Sequence, residues 1–519
     1  MEAPVPHPSF HADRDPDKLA FIMADSGQGI SYRQLVDNSW RAARLFEQLG
    51  CREGDTIAIL LENQLRYPEL CWAAKNSGLH YVCVGRQLNA ADAAYVVADC
   101  GAKVLVSSHK LQATACELVS LLQHRPALLM IDGALAPFES YEEGISRHPA
   151  QALGPRRRGN SMLYSSGTTG RPKGVRVELA NEPPEQPPKR YAYLVADYEL
   201  GPATVFLNPG PFYHVAPLRL MMSAQRAGGT VLGFEKFDAE ATLQAIAQYA
   251  VNTAFLVPTM FIRMQRLPDQ VKDRYRMSTL RHVVHGAAPC PVHVKDAMIQ
   301  WWGPVLQELY GGTEGIGTTS IDSREWLAHK GSVGRPSHGT ELHILNDAGD
   351  ECAVGVAGLI YLWNGRKVEY LHDPAKTAAA RHRKGWMTLG DIGYRDADGY
   401  LYLTDRQSNL IISGGVNIYP QESENILLQH PGVADVAVIG VPHPEFGEEV
   451  KALVQPLGPV DDPEQFAASL MAWCRERLSP IKCPRSIDIS LDALPRSDAG
   501  KLLKREIRKR YWGGETRLV

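Results

Sequence analysis

The chain has no apolar stretch of the length needed to cross a bilayer, which excludes a helical membrane span. Its first residues, Met-Glu-Ala-Pro followed by acids and histidines, lack the apolar run of a secretory signal. Cysteine is sparse and scattered, nine residues at 51, 71, 83, 100, 116, 290, 352, 474 and 483, with no close pair at metal-ligand spacing. Neither a zinc-binding nor a disulfide framework is expected, and reduced thiols in a cytoplasmic protein are. Neither charge is in excess: 55 basic and 58 acidic side chains give a formal net charge of −3, with no electrostatic reason for a nucleic-acid partner. The short basic run Arg156-Arg157-Arg158 reads as a solvated loop. No fixed-period repeat is present, which excludes solenoids and propellers.

What is present is globular composition, 44% hydrophobic and 22% charged, over 519 residues. That length accommodates roughly two to four folding units. Short apolar runs at 55–61, 104–106, 127–131, 204–207, 253–257 and 281–284 read as buried strands, interleaved with helical patterns such as 66–78. The rhythm predicts an α/β fold with a sheet covered on both faces. Between 181 and 190, four prolines and four charges predict a surface loop. From about 331 to 405, shorter glycine-punctuated strands such as 358–362 and 400–403 predict a β-rich subdomain. Beyond it, a helix at 422–428, strands at 433–441 and 451–454, and helices at 464–477 and 501–509 predict a small α+β unit. The boundary falls near Asp405-Arg406-Gln407-Ser408, dividing the chain into 1–405 and 406–519.

The most informative segment is Tyr164-Ser165-Ser166-Gly167-Thr168-Thr169-Gly170-Arg171-Pro172-Lys173-Gly174. Its glycines allow tight bends and close approach of backbone to a ligand. Successive N–H groups can cradle phosphate oxygens, the hydroxyls add donors, and Lys173 adds a mobile charge. The spacing is neither that of a P-loop nor that of a dinucleotide fingerprint. Composition alone leaves a generic polar surface loop equally open.

Other segments follow in order: Tyr310-Gly311-Gly312-Thr313-Glu314-Gly315, Thr388-Leu389-Gly390-Asp391, Asp405-Arg406, Ser413-Gly414-Gly415 and Pro495 to Lys501. With the glycine loop, this ordered set resembles the adenylate-forming superfamily of acyl-CoA synthetases, coumarate-type ligases, luciferases and peptide-synthetase adenylation domains. The nearest similarity is to bacterial fatty, steroid-side-chain or aromatic acyl-CoA synthetases. The resemblance implies a ligase that uses ATP and Mg²⁺ to activate an acid as its acyl-adenylate, then passes the acyl group to coenzyme A. It also implies that the small C-terminal domain is mobile.

By that resemblance Ser165, Ser166, Gly167, Thr168, Thr169, Gly170 and Lys173 hold the terminal phosphates, and Thr313 the α-phosphate. Glu314 holds the metal, Tyr310 stacks on adenine, and Gly286-Ala287-Ala288 line the base. Asp391 receives the ribose hydroxyls, for which a carboxylate with two accepting oxygens is suited, and Arg406 adds a second ribose or phosphate contact. Lys501 is the implied catalytic lysine, bridging the attacking carboxylate and the α-phosphate where charge develops. In isolation, Glu314 reads as a surface acid, Tyr310 as a core aromatic, Asp391 as a turn residue and Lys501 as a solvated cation.

The segment Pro211-Phe212-Tyr213-His214 matches the family's acyl-pocket stretch and makes His214 a pocket wall or a structural histidine; Met260 and Gly311 complete the implied substrate contacts. Met221, Met222, Phe261 and Met264 line a cavity or pack the core. No acid suited to an α-ammonium group lies nearby, which favours an apolar or aromatic acid over an amino acid. Ser413, Gly414 and Gly415 are the thiol-step candidates for coenzyme A, with Lys451 as a phosphate contact. The chain departs from the family at Ser408 and Asn409, where charged residues are common; a hinge needs backbone freedom more than charge. Loading of a separate carrier protein or another acceptor is the alternative outcome, and a peripheral membrane contact or a homodimer is compatible with the sequence.

Overall fold

Thr56–Leu60 is buried at every position, as its unbroken apolar run requires of a strand covered on both faces. It lies within a six-stranded sheet, paired in parallel with His80–Cys83 and Ala102–Ser108. The structure is a computed structural model and describes residues 7–165, 172–414, 416–497 and 500–512, with only the backbone of Ser165. Helix Tyr32–Gln48 starts at a capping box, in which Ser31 and Gln34 satisfy one another's backbone N–H groups. It buries Leu35, Val36, Trp40, Ala43 and Phe46 at helical spacing.

A second, nine-stranded sheet has a parallel centre formed by Val205–Asn208, Thr230–Gly233, Thr253–Leu256, His282–Gly286 and Leu306–Gly311. Leu19–Met23 joins this sheet beside Thr230–Gly233, so the start of the chain packs into the second α/β layer. The two layers share one hydrophobic core. Polar contacts also cross between them: the Asn63 amide donates to the carbonyls of Gly210 and Phe234 at 2.9 and 2.8 Å, and its oxygen accepts from Phe212 N–H at 2.9 Å. In the second layer, buried Lys295 on helix Val292–Trp302 pairs at 2.7 Å with buried Glu308 on strand Leu306–Gly311.

The β-rich part is a four-stranded antiparallel sheet of Glu341–Leu345, Gly358–Trp363, Met387–Arg395 and Leu401–Arg406. One short helical turn, Gln407–Asn409, follows. The chain then forms a five-stranded sheet built around the long hairpin Val433–His443 and Gly447–Pro456. Helices Pro420–Leu427 and Pro463–Arg475 pack on it around a core of its own that includes Ile411, Val436, Val438 and Leu470. The architecture is a large α/β region with mixed sheets and a smaller C-terminal α+β unit. Among the described residues no helix is long and apolar enough to cross a membrane.

Three local expectations are corrected. Arg158 is not solvated: it is 8% exposed, pairs with Glu182 at 2.7 Å and donates to the Gln186 carbonyl, thereby holding the proline-rich loop. That loop gives way to helix Lys189–Tyr198, so the surface segment ends earlier than its composition indicates. The last helix spans Lys504–Lys509 and leaves Lys501 in the preceding loop, because Arg496 and Leu502 close a β-bridge there.

The Asn63 amide yields the first prediction. Asn63→Ala takes this partner from the Phe234 carbonyl and the Phe212 N–H, while the Gly210 carbonyl keeps the Asn208 amide, and should lower stability by about 2 kcal/mol. Thermal unfolding monitored by circular dichroism checks this; an unchanged midpoint would remove Asn63 from the contacts that join the layers.

Candidate functional site

The backbone at both ends of the glycine loop is an antiparallel pair, with Ser165 opposite Lys173 and Gly174 opposite Tyr164. Ser166, Gly167, Thr168, Thr169 and Gly170 lie outside the described residues, as does the Ser165 side chain. Gly174 is required: a Cβ there would stand 2.9 Å from the Tyr164 ring, whose hydroxyl is fixed to Asp99 at 2.6 Å. The strand pair continues to Glu369–Tyr370, which brings the segment after Tyr370 beside Lys173.

Strand Leu306–Gly311 delivers the next group, ending in the tight turn Gly312–Gly315 closed by a 3.0 Å backbone bond. Tyr310 donates to Asp391 Oδ2 at 2.9 Å, and Arg406 Nε lies 3.0 Å from Asp391 Oδ1. Asp391 and Arg406 are cross-strand neighbours, so the register of the four-stranded sheet fixes this pair. Thr313 and Glu314 occupy the turn itself; Glu314 is 9% exposed and its Oε1 accepts from Tyr370 at 2.9 Å. Its Oε2 lies 2.7 Å from where a Cβ on Gly312 would stand, so that glycine leaves room for the carboxylate.

Gly286 sits in register with Leu309, whose carbonyl approaches too closely to admit any side chain at 286. Ala287 follows at φ 67°, a conformation that costs a residue with a side chain about 1 kcal/mol or more. This strained, exposed turn lies beside the end of the strand that carries Tyr310.

Lys501 reaches the same place from the small unit. Burial and Arg406 hold its ammonium down to a pKa of about 8, against the opposing pull of Asp391 and Glu314. Its loop is shaped by bonds from Ser497 N–H to the Lys501 carbonyl at 2.8 Å and from Lys501 N–H to Ser497 Oγ at 3.1 Å. Arg496 anchors the loop, gripping Asp435 through two nitrogens at 2.6 and 2.7 Å and donating to the Gly500 carbonyl. Gly500 rests against Thr259 of the large region, too close for a side chain.

Of the implied acyl wall, the structure brings Met260 beside Gly210, at the start of the His214 segment. His214 precedes helix Val215–Arg226 and stands 4.4 Å, centroid to centroid, from Tyr213. Met260 is buried, with its methyl 3.6 Å from where a Cβ on Gly210 would stand, just before the His214 segment. Gly311 ends its strand, facing Gly317. Met221, Met222, Phe261 and Met264 are buried in the shared core.

The thiol candidates stand apart. Ser413 pairs with Gly447, and Gly414 takes φ 56° while donating to the Phe446 carbonyl; Gly415 lies outside the described residues. No described bond links Ser413 or Gly414 to Asp391, Glu314 or Lys501. Lys451, expected at a phosphate, is engaged by Asp488 at 2.7 Å and Ser486 at 3.1 Å.

Two groups were invisible in the sequence. Lys376 stands 4.4 Å above the Tyr370 ring. Burial and the adjoining Lys173 ammonium bring its pKa down to about 8, which places two cations side by side at the glycine loop. Behind Gly315, a set of cations that includes Arg190, Arg219 and Lys75 gathers around a cavity. Their chain separation hides them; no local pattern marks them.

Comparison with known proteins accords with this geometry. The model of the AMP-binding enzyme family matches residues 9–366, and that of the AMP-binding enzyme C-terminal domain matches residues 422–501. A feruloyl-CoA synthase from Amycolatopsis is 31% identical over 95% of this chain and 96% of its own. A 2-succinylbenzoate–CoA ligase from Bacillus licheniformis is 30% identical over 96% and 99%. The structure of the amide bond synthetase McbA from Marinactinospora thermotolerans superposes with a TM-score of 0.80 at 27% identity, covering 97% of this chain and 100% of that one. The chain belongs to the AMP-binding enzyme family and shares its chemistry, the ATP-dependent conversion of an acid to an acyl-adenylate and thioester.

Proposed function

We propose that the protein activates an aromatic carboxylic acid as its adenylate and transfers the acyl group to coenzyme A. The observation that carries this reading is the convergence of Lys501 with Asp391, Arg406 and Glu314 in one cleft. Activation brings a carboxylate up to a phosphate, two anions that repel, so the site must supply positive charge and hold both in line. Lys501 would bridge the attacking carboxylate and the α-phosphate, with the Thr313 hydroxyl on the same phosphate. Lys173, joined by Lys376, would take charge from the departing pyrophosphate. Tyr310 and the strained turn at Gly286, Ala287 and Ala288 would flank adenine. Asp391, steered by Tyr310 and Arg406, would receive ribose hydroxyls.

Glu314 keeps one carboxylate oxygen beyond the Tyr370 bond, a hard donor suited to Mg²⁺. The metal, when bound, would neutralise phosphate charge. An aromatic acid is favoured because the relatives named above act on feruloyl and succinylbenzoate groups. An acceptor other than coenzyme A is the second reading, favoured by the likeness to an amide bond synthetase and open to a carrier protein as well.

Mass spectrometry of protein with ATP, Mg²⁺, coenzyme A and a panel of aryl, fatty and steroid acids tests the proposal. Matching AMP and acyl-CoA from an aryl acid is the expected result. AMP without acyl-CoA would overturn the choice of acceptor. Lys501→Ala should slow adenylation about 100- to 1,000-fold, the scale of a lost transition-state donor, while thioester formation from synthetic acyl-AMP falls much less.

The lowered pKa also sets a pH dependence. Lys501 is charged below about pH 8 and neutral above it, so kcat/KM for adenylation should fall on the alkaline side near that value. Lys376→Met should retain this limb and raise KM for ATP about tenfold, as expected for the loss of one charged phosphate contact. A rate profile that stays flat through this pH would remove the Lys501 ammonium from the adenylation step.

A further inference from the structure

Buried guanidinium groups normally pair with carboxylates or lie against carbonyl oxygens, because an isolated buried charge is strongly disfavoured. Two arginines near the proline-rich loop obey this rule. Arg158 has Glu182, and Arg226 donates to the carbonyls of Pro184 and Glu185 at 2.7 and 2.8 Å. Arg190, Arg219 and Arg366, which are partly buried, do not. Among the described residues no carboxylate or carbonyl receives their guanidinium groups, and the buried Nε of Arg219 has no partner. Instead they face each other: Arg190 and Arg366 both raise the energy of the charged form of Arg219, and Arg366 does the same to Arg190. Buried Lys75 adds a further cation, again without a carboxylate.

Their position gives the cluster a meaning. Arg190 and Arg219 line a cavity of about 30 Å³ with Lys75, Tyr81 and Ser161. That space suffices for one or two water-sized groups, hence for a carboxylate. On its other side the cluster meets the adenylation turn. A Cβ on Gly315 would lie 2.8 Å from Arg366 Nη1 and 3.7 Å from Arg219 Nη2. Gly315 directly follows Glu314 and is two residues from Thr313, a backbone span of at most roughly 7 Å. Arg219 also shares its helix with the His214 segment at the acyl wall.

Resting on the adenylation reading above, we infer that the acid substrate carries a second anionic group, received by Arg190, Arg219 and Arg366 behind Gly315. Such a ligand is a compact dicarboxylate, one carboxyl activated at Lys501 and the other held by the arginines. Its second charge supplies the counter-ion that is missing among the described residues. An uncharged fatty tail or an unsubstituted ring placed there would leave the buried Arg219 Nε and its neighbouring cations uncompensated.

The test pairs each monoacid with diacids on the same carbon skeleton: benzoate with phthalate, isophthalate and terephthalate, and butyrate with succinate. Binding to the full-length protein is measured by calorimetry, and AMP release is measured separately, for the wild type, Arg219→Met and Arg366→Met. At least one diacid should bind and react about 100-fold better than its monoacid, the scale of a lost buried charge pair. Each variant should abolish that preference. Arg219→Met should also melt no lower than wild type without ligand, because it removes an unpaired charge.

AMP release with no diacid preference would overturn this inference and leave the adenylation reading standing. Arginine-dependent diacid binding without AMP release would do the reverse. A lower melting point, together with equal weakening for both acids, would assign Arg219 a packing role and overturn the inference.

Discussion

The cleft depends on one buried carboxylate. Asp391, 6% exposed, uses one oxygen for Tyr310 and the other for Arg406. Those partners come from different places: Tyr310 from the nine-stranded sheet, Arg406 from the last strand before the small unit. A single anion thus joins a sheet of the α/β region, the β-rich sheet and the passage between the two domains. It also offsets the charge of Lys501, which Arg406 alone would repel. Without Asp391, two cations would face each other with only Glu314 to offset them, and a partly desolvated charge left unpaired is strongly destabilising.

Precision at this point originates in the layers behind it. Lys295 and Glu308 pair within the core, two residues before Tyr310 on the same strand, and so tie that strand to its covering helix. The absence of a side chain at Gly286 allows the neighbouring strand to close on Leu309. Ala287 then bears the conformational strain of turning at the cleft edge. Such strain persists only where surrounding contacts over-determine the backbone, and here the strand leading into the turn, His282–Gly286, is buried from Val283 onward. The rigid strand ends and the strained turn therefore belong to one device, which presents a flat aromatic and a backbone edge to the same space.

Much of this was legible in the sequence because it rests on local patterns. Unbroken apolar runs such as 56–60 have few alternatives to buried strands, whereas the Tyr310 to Gly315 segment, ambiguous in isolation, was read through its resemblance to the family. Charges whose partners are distant in sequence were not legible. Arg158 looked solvated within its basic run because Glu182, its counter-ion, lies beyond the glycine loop. Lys376 gains meaning only when a third strand brings it beside Lys173. Arg190, Arg219 and Arg366 come from two helices and a loop, and no periodicity links them. Methionines announce themselves locally, whereas convergent arginines do not.

The small unit is held together more firmly than it is held in place. Within it, Arg496 grips Asp435 bidentately, Lys504 pairs with buried Glu424 at 2.8 Å, and Arg508 pairs with Glu448 at 3.1 Å. Across to the large region run the bond from Arg266 to the Ala434 carbonyl at 2.9 Å, the contact of Gly500 with Thr259 and, beside the joint, the Asp405 carboxylate, which accepts from Gln421 N–H at 3.1 Å and lies 4.0 Å from Lys504. A turn about Gln407–Asn409 would break those few contacts and withdraw Lys501 while leaving its loop intact. The two residues that depart from the family pattern suit that role. Ser408 offers its carbonyl to Arg508 at 3.2 Å, and Asn409 donates to Asp405 at 3.0 Å. In each bond the joint residue supplies a neutral group and its partner the charge, so the Arg508 cation from the small unit and the Asp405 anion from the preceding strand bracket the joint from either side.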